Sequence, residues 1–207
     1  RGADRQRTLR YAERDARRFA DLLIDLGGFA PENVVVLGGR TAESFGEALS
    51  EVDQRIRQVV PERFPRAMLV VYFSGHADGL HLEFGDEKLP YERFRELVAN
   101  SAAQVKIAFV DSCQSGALIA PKGGRPGPAF DLALHDTADA AGTVVVTSSA
   151  AGENSQESAA IQGSFFSHYL LSGLRGAADQ DRDGRVTLAE VYAYTYDKTG
   201  GETSRTL

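Results

Sequence analysis

The sequence predicts an α/β domain with a mainly parallel central sheet, and three observations carry that expectation. Short runs such as Met68–Phe73 (MLVVYF) and Val105–Val110 (VKIAFV) are apolar on nearly every position, the mark of strands covered on both faces. Amphipathic stretches of helical period separate them, as crossover connections between parallel strands require. The chain of 207 residues, 43% hydrophobic and 25% charged, is large enough and ordinary enough in composition to bury one hydrophobic core.

Each element follows from local pattern. Leu9, Ala12, Ala16, Phe19, Leu23 and Leu26 recur at steps of three and four and draw one stripe along a helix. Gly27-Gly28 stops it, because glycine accepts the left-handed conformation of a helix end. Asn33–Leu37 (NVVVL) reads as a buried strand closed by Gly38-Gly39. Phe45, Leu49, Val52, Ile56 and Val59 mark a second helix, which Pro61 is expected to end. Met68–Phe73 is the next strand. Leu80–Phe84 with a return through Lys88-Leu89 forms a small hairpin, and Pro90 opens a helix with Tyr91, Phe94 and Leu97 on its apolar side. Val105–Val110 and Thr143–Thr147 are further strands. Helices follow near Ser164–Leu174 and Thr187–Tyr196.

Between these elements, Ala117–Phe130 (ALIAPKGGRPGPAF) has three Pro and three Gly in fourteen residues. Such a stretch continues neither helix nor sheet and reads as a long exposed loop, a kind that usually serves function or mobility.

Several function classes fall away on composition. A net charge of −6 argues against a general nucleic-acid binder. Seven Arg within Arg1–Arg18 read as the solvated basic face of a helix. The longest apolar run, Ala67–Phe73, is too short to cross a bilayer. The first thirty residues have Arg throughout and no apolar core of a signal peptide. A single cysteine, Cys113, excludes an internal disulfide framework and a cysteine-rich zinc site, and fits a reducing, cytoplasmic setting.

Chemistry concentrates at two strand ends. Met68–Phe73 runs into Ser74-Gly75-His76, and Val105–Val110 runs into Asp111-Ser112-Cys113. Parallel α/β sheets place their sites beyond the carboxyl ends of their strands. If the two strands are neighbours, a His and the only Cys meet at one rim. A free thiol is only slightly ionised at neutral pH, whereas an adjacent imidazole holds it as thiolate and later protonates a leaving amine. The glycines beside both residues leave room for a substrate backbone. The same positions also suit a hydrogen-bonded strand-end His and a buried structural Cys.

YFSGH at Tyr72–His76, DSCQSG at Asp111–Gly116, and the TSSA and QES segments at Thr147–Ala150 and Gln156–Ser158 resemble the caspase-like clan of cysteine peptidases, closest to its bacterial, metacaspase-type branch. The resemblance runs from about Leu9 to Tyr196 and implies a caspase-like fold. It also implies a single catalytic domain, with 1–116 corresponding to a large subunit, 117–130 to an exposed linker and 131–207 to a small subunit. It makes Cys113 the nucleophile and His76 the general acid/base of a cysteine endopeptidase. Caspases have Gln two positions before the nucleophile and take aspartate; metacaspases have Asp and take Arg or Lys. Asp111 follows the metacaspase pattern, and Asp15 and Ser74 match further positions of the same pocket. Two carboxylates at a pocket floor attract a guanidinium and repel a substrate aspartate.

Two departures accompany the likeness. Ala77 stands where the family usually has Gly, so the oxyanion hole is expected from the backbone amides of Gly75 or Ala77 with Cys113. No strand precedes Leu9, and the sequence opens on Arg1 rather than Met; the expectation is a chain that starts after a cut or a truncation, with the missing strand supplied by another segment. Lys122 and Arg125 in the linker suit maturation cleavage by the enzyme itself or by an upstream activating protease.

Asp179–Glu190 (DQDRDGRVTLAE) matches the twelve-residue calcium loop, with Asp179, Asp181, Asp183 and Glu190 at positions 1, 3, 5 and 12 and Gly184 at 6. Ca2+ is therefore the expected ion, modulating the protein without taking part in the chemistry. The same twelve residues also suit an Asx-rich turn that loads no metal. Of the other histidines, His168 reads as structural, and His81 and His135 as solvent-exposed; Tyr192, Tyr194 and Tyr196 pack the last helix. The leading function is peptide-bond hydrolysis after Arg or Lys in protein substrates. The alternative is a catalytically silent caspase-like scaffold governed by calcium.

Overall fold

The computed structural model describes residues 9–39, 41–63, 66–112, 142–148 and 157–203, with backbone alone for 59–63 and 201–203. In chain order the elements are α1 (Ala12–Asp25), α2 (Ala42–Arg63), β1 (Met68–Ser74), β2 (His81–Phe84), β3 (Glu87–Pro90), α3 (Tyr91–Ala99), β4 (Val105–Asp111), β5 (Gly142–Thr147), β6 (Glu157–Ser158), β7 (Gly163–Ser164), α4 (Phe165–Ser172) and α5 (Leu188–Thr203). They form two compact units. One comprises the described part of Leu37–Glu153, the other Leu9–Val36 with the described part of Asn154–Leu207.

The first unit is a parallel sheet of order β1-β4-β5. Met68 pairs with Val105 and the register continues to Ser74 opposite Asp111, while β4 pairs with β5 from Val105–Gly142 to Val110–Thr147. The parallel sheet expected from apolar runs is thus present. Ala108, Phe109 and Val110 are all buried, which requires cover on both faces of β4. On one face, Phe45 of α2 stacks on Phe94 of α3 at 5.8 Å and meets Phe84 at 5.6 Å, and Phe84 lies 5.2 Å from Phe73. Phe94 and Leu82 are fully buried in this cluster; truncating such a phenylalanine typically costs about 3–5 kcal/mol.

Local chemistry sets the helix ends. Thr41 caps α2, its hydroxyl accepting the Ser44 N–H at 3.1 Å, and Glu87 accepts the Ala42 N–H at 3.0 Å. A carboxylate there satisfies one of the orphan amides and the positive end of the helix dipole. The helix does not end at Pro61 but runs to Arg63. A proline removes one N–H bond to the residue four before it, and in the last turn the helix tolerates that single loss.

Asn33–Leu37 is not a strand. Pro31–Asn33 forms a 3-10 turn, and Val35, Val36 and Leu37 are exposed. Apolar composition alone does not make a strand, because its backbone groups need a ladder partner. None of the described strands pairs with this run.

In the second unit α1 packs on β7 and α4. Its buried residues are Asp15, Phe19, Ala20 and Leu22, so the inward face is rotated from the expected stripe, and Leu26 lies past the helix end, 63% exposed. The expected stop holds: Gly28 adopts φ +71°, and the Phe29 N–H donates to the Leu23 carbonyl at 3.1 Å. Arg10 and Tyr11 donate their backbone N–H groups to the Glu157 carboxylate at 3.1 and 3.0 Å, tying the start of α1 to the β6–β7 ribbon. Ser164 caps α4 by accepting the Ser167 N–H at 2.9 Å. A π-helical turn, Gly173–Ala177, follows α4, and α5 extends beyond Tyr196 to Thr203. Tyr192 and Tyr196 stack at 6.3 Å on α5. Among the described residues no helix is long and apolar enough to cross a membrane.

Candidate active site

Ser74 and Asp111 end β1 and β4 as register partners, so the residues after them leave the sheet side by side. Gly75 continues the pairing by one step, its N–H donating to the Asp111 carbonyl at 3.1 Å. This commits the Gly75 amide and corrects its expected role at an oxyanion hole. Gly75 also has a packing role: a Cβ there would lie 2.5 Å from the Phe73 ring. The glycine accommodates the Phe73 ring.

The chain after His76 turns into an antiparallel ribbon. Ala77 bridges Leu82; the Glu83 N–H donates to the His76 carbonyl at 2.9 Å and the Asp78 N–H to the His81 carbonyl at 3.2 Å. In this arrangement the flanking residues exchange the hydrogen bonds, so the Ala77 N–H points away from β2. Of the two amides expected at the oxyanion, Ala77 is the one not taken by the ribbon or by Asp111.

Ser112, immediately before Cys113, is held from behind. Its N–H donates to the Ser148 hydroxyl at 3.0 Å, that hydroxyl donates back to the Ser112 carbonyl at 3.2 Å, and the Ser148 N–H donates to the Val110 carbonyl at 3.0 Å. Ser112 and Asp111 are both buried. Ser112 is therefore held by the residue that follows β5 as well as by β4. Cys113, Lys122 and Arg125 themselves lie outside the described residues, as do His135, Ser149, Ala150 and Gln156.

Asp15 is in the other unit. Its carboxylate is buried, accepts the Ser164 N–H at 3.0 Å and lies 3.8 Å from the Arg18 guanidinium. Gly163 packs closely beside it: a Cβ there would approach the Asp15 carboxylate to 2.7 Å, and the carboxylate would have to shift. Asp15 is not one of the solvated charges of the helix.

Sequence inspection missed a charged network behind His76. Asp78 lies 2.7 Å from Lys88 Nζ and 3.1 Å from His81 Nδ1, and accepts the Leu80 and His81 N–H groups at 2.9 and 2.8 Å. Burial opposes ionisation of Asp78, but the bonds from Lys88, Leu80 and His81 outweigh it and hold the carboxyl well below the usual range. His81 is therefore half-buried and hydrogen-bonded, not a free surface histidine. Its signal was present in the alternation of HLEF, polar residues on one face and Leu82 and Phe84 on the other. His168 is exposed on α4, its ring edge-on to Tyr169 at 5.0 Å.

The acidic loop before α5 gathers Asp179, Asp181 and Asp183, with one oxygen of each within 4.8 Å of the others. Gly184 takes φ +77° and donates its N–H to Asp179 Oδ2 at 3.1 Å. Asp179 Oδ1 is buried with no hydrogen-bond partner. Glu190 is engaged elsewhere: it accepts the Thr187 N–H and hydroxyl at 2.8 and 2.7 Å and the Gln180 N–H at 3.2 Å, capping α5. These bonds, led by the Thr187 N–H, hold its carboxyl below the usual range.

The family model for the caspase domain matches residues 3–201 of the chain. Metacaspase-7 of Arabidopsis thaliana is 32% identical over 125 residues, and Metacaspase-4 of the same plant is 27% identical over 127. The aligned parts cover 51% and 54% of this chain and 30% of each relative. The crystal structure of Caspase-1 from Spodoptera frugiperda superposes with a TM-score of 0.59 at 19% identity, covering 89% of this chain and 66% of that one. That likeness is one of fold.

Proposed function

The chain belongs to the caspase-domain family, and on that premise we propose that it is a cysteine endopeptidase cutting protein substrates after Arg or Lys. The pairing of Ser74 with Asp111 carries this reading. His76 and Cys113 each stand two residues beyond a member of that pair, which favours an imidazole and a thiol at one rim of the sheet.

In this mechanism the Cys113 thiolate attacks the scissile carbonyl carbon, and the oxygen takes up the charge opposite the Ala77 N–H. His76 gives its proton to the leaving amine as the C–N bond breaks, then takes a proton from the water that hydrolyses the thioester. Asp111 and Ser74, register partners at the ends of β4 and β1, shape the specificity pocket, and the sequence motif alone assigns Asp15 to it. The burial of Asp111 supports the assignment, since a buried carboxylate favours a guanidinium or ammonium partner.

Calcium binding is a second part of the reading. Asp179, Asp181 and Asp183 would hold the ion, and Glu190 would close the site by giving up its cap bonds to Thr187. The buried, unpartnered Asp179 oxygen supports it. Lys122 and Arg125 are the proposed maturation sites on sequence alone.

Turnover of fluorogenic peptides ending in Arg, Lys or Asp, with and without calcium and beside Cys113→Ala, tests the function. Cleavage after Arg or Lys that disappears in Cys113→Ala is the expected result. Cleavage only after Asp would overturn the pocket assignment. Absence of turnover under every condition, with calcium still bound, would favour the silent scaffold.

A further inference from the structure

The ribbon behind His76 has two chemically opposite faces. Ala77, Leu82 and Leu89 stand opposite one another across three strands and are buried in the core. Side chains on neighbouring residues of a strand point to the other face. One step along, His76, Glu83 and Lys88 therefore form the next row, with His76 joined to Glu83 by the 2.9 Å backbone bond and Glu83 paired with Lys88. Asp78 and His81 form the row on the far side of Ala77, and their 3.1 Å contact confirms the facing.

Glu83 is the unexplained member. Its side chain is 5% exposed, and its Oε2 is buried with no hydrogen-bond partner. Lys88 is the cation facing it, but Lys88 Nζ is hydrogen-bonded to Asp78 at 2.7 Å and stands 3.6 Å from Glu83 Oε1. Lys88 is thus shared between the two carboxylates, closer to Asp78, and Glu83 Oε2 is left without a hydrogen-bond partner. A buried acceptor left in this way calls for an explanation.

We propose that Glu83 is a positioning residue for His76: its carboxylate, across the ribbon from the imidazole, favours the positively charged ring that forms when His76 holds the Cys113 proton. Directly opposed antiparallel residues have Cβ atoms roughly 5 Å apart, within reach of a glutamate and an imidazole. No proton passes to Glu83; it remains a carboxylate while the proton moves between sulfur, imidazole and leaving amine. Lys88 and Asp78 set how much of that charge His76 meets. The inference rests on His76 being the acid/base of the proposed peptidase.

Full-length protein carrying Glu83→Gln, which keeps size and removes charge, is compared with Glu83→Asp on a peptide ending in Arg. Glu83→Gln is expected to lower kcat about tenfold or more, with KM changed by less than about twofold, and Glu83→Asp to recover part of the loss. An unchanged kcat in a folded Glu83→Gln, or an equal fall in both variants, overturns the assignment. Wild-type turnover in His76→Ala would instead remove the acid/base reading itself. The 15N resonances of the His76 ring, assigned by their loss in His76→Gln, decide the matter even without turnover. They should move in Glu83→Gln and return toward wild type in Glu83→Asp; resonances that stay in place overturn it.

Discussion

Ser112 and Ser148 are joined by two hydrogen bonds through one hydroxyl, which accepts the Ser112 N–H at 3.0 Å and donates to the Ser112 carbonyl at 3.2 Å. The residue before the proposed nucleophile is thereby fixed to the end of a neighbouring strand by a side chain, not by the ladder. Positions so close to a reacting atom tolerate little displacement.

Ser148→Ala should leave the buried Ser112 amide without its acceptor. The expected destabilisation is about 1–3 kcal/mol in urea unfolding. Peptide turnover should fall more through kcat than through KM, because the change loosens the approach to Cys113. Ser148→Thr, which restores the hydroxyl, should regain part of both.

Gly75→Ala should be costly although the backbone there is unstrained. The new methyl would meet the buried Phe73 ring at 2.5 Å, and overpacking of that kind typically costs about 1–3 kcal/mol. A melting temperature equal to wild type would show that the ring has room to move.

Stability should depend on pH through Asp78. Its carboxyl is held well below the usual range, burial being outweighed by the bonds from Lys88, Leu80 and His81. The unfolded chain therefore binds this proton more readily than the folded one. The stabilisation is fully present above the ordinary carboxylate range near about pH 4 and is lost as pH falls toward the folded value. Urea unfolding between about pH 2 and pH 5 should show a shallower slope in Asp78→Asn than in wild type.

Asp15 and Asp111 are separable by kinetics. Asp111→Asn should raise KM for Arg peptides. Asp15→Ala should also lower stability by about 1–3 kcal/mol, because the buried Ser164 amide loses its acceptor. If Asp15→Ala destabilises without changing KM, Asp15 is a structural residue of the second unit and no part of the pocket.

Calcium titration by calorimetry should give heat in the wild type and none in Asp179→Ala. Glu190→Gln should weaken binding at least about tenfold. It should also fray the start of α5, since Glu190 caps that helix through Thr187.

The parallel sheet, the hairpin, most helix positions and the two strand-end motifs were legible in the sequence. Apolar runs and helical periods are local patterns, and the residues that end β1 and β4 travel with them. Asn33–Leu37 misled because a strand exists only with a partner, which composition does not supply. The resemblance assigns Asp15 to the pocket, but nothing local in the sequence shows that its carboxylate accepts the distant Ser164 N–H. Tertiary structure alone decided that the Gly75 amide is spent on Asp111, that Ser148 holds Ser112, and that Asp78 and Glu83 share Lys88. Each of these depends on which atoms face one another across strands, and a pairing between distant residues leaves no period in the sequence that contains it.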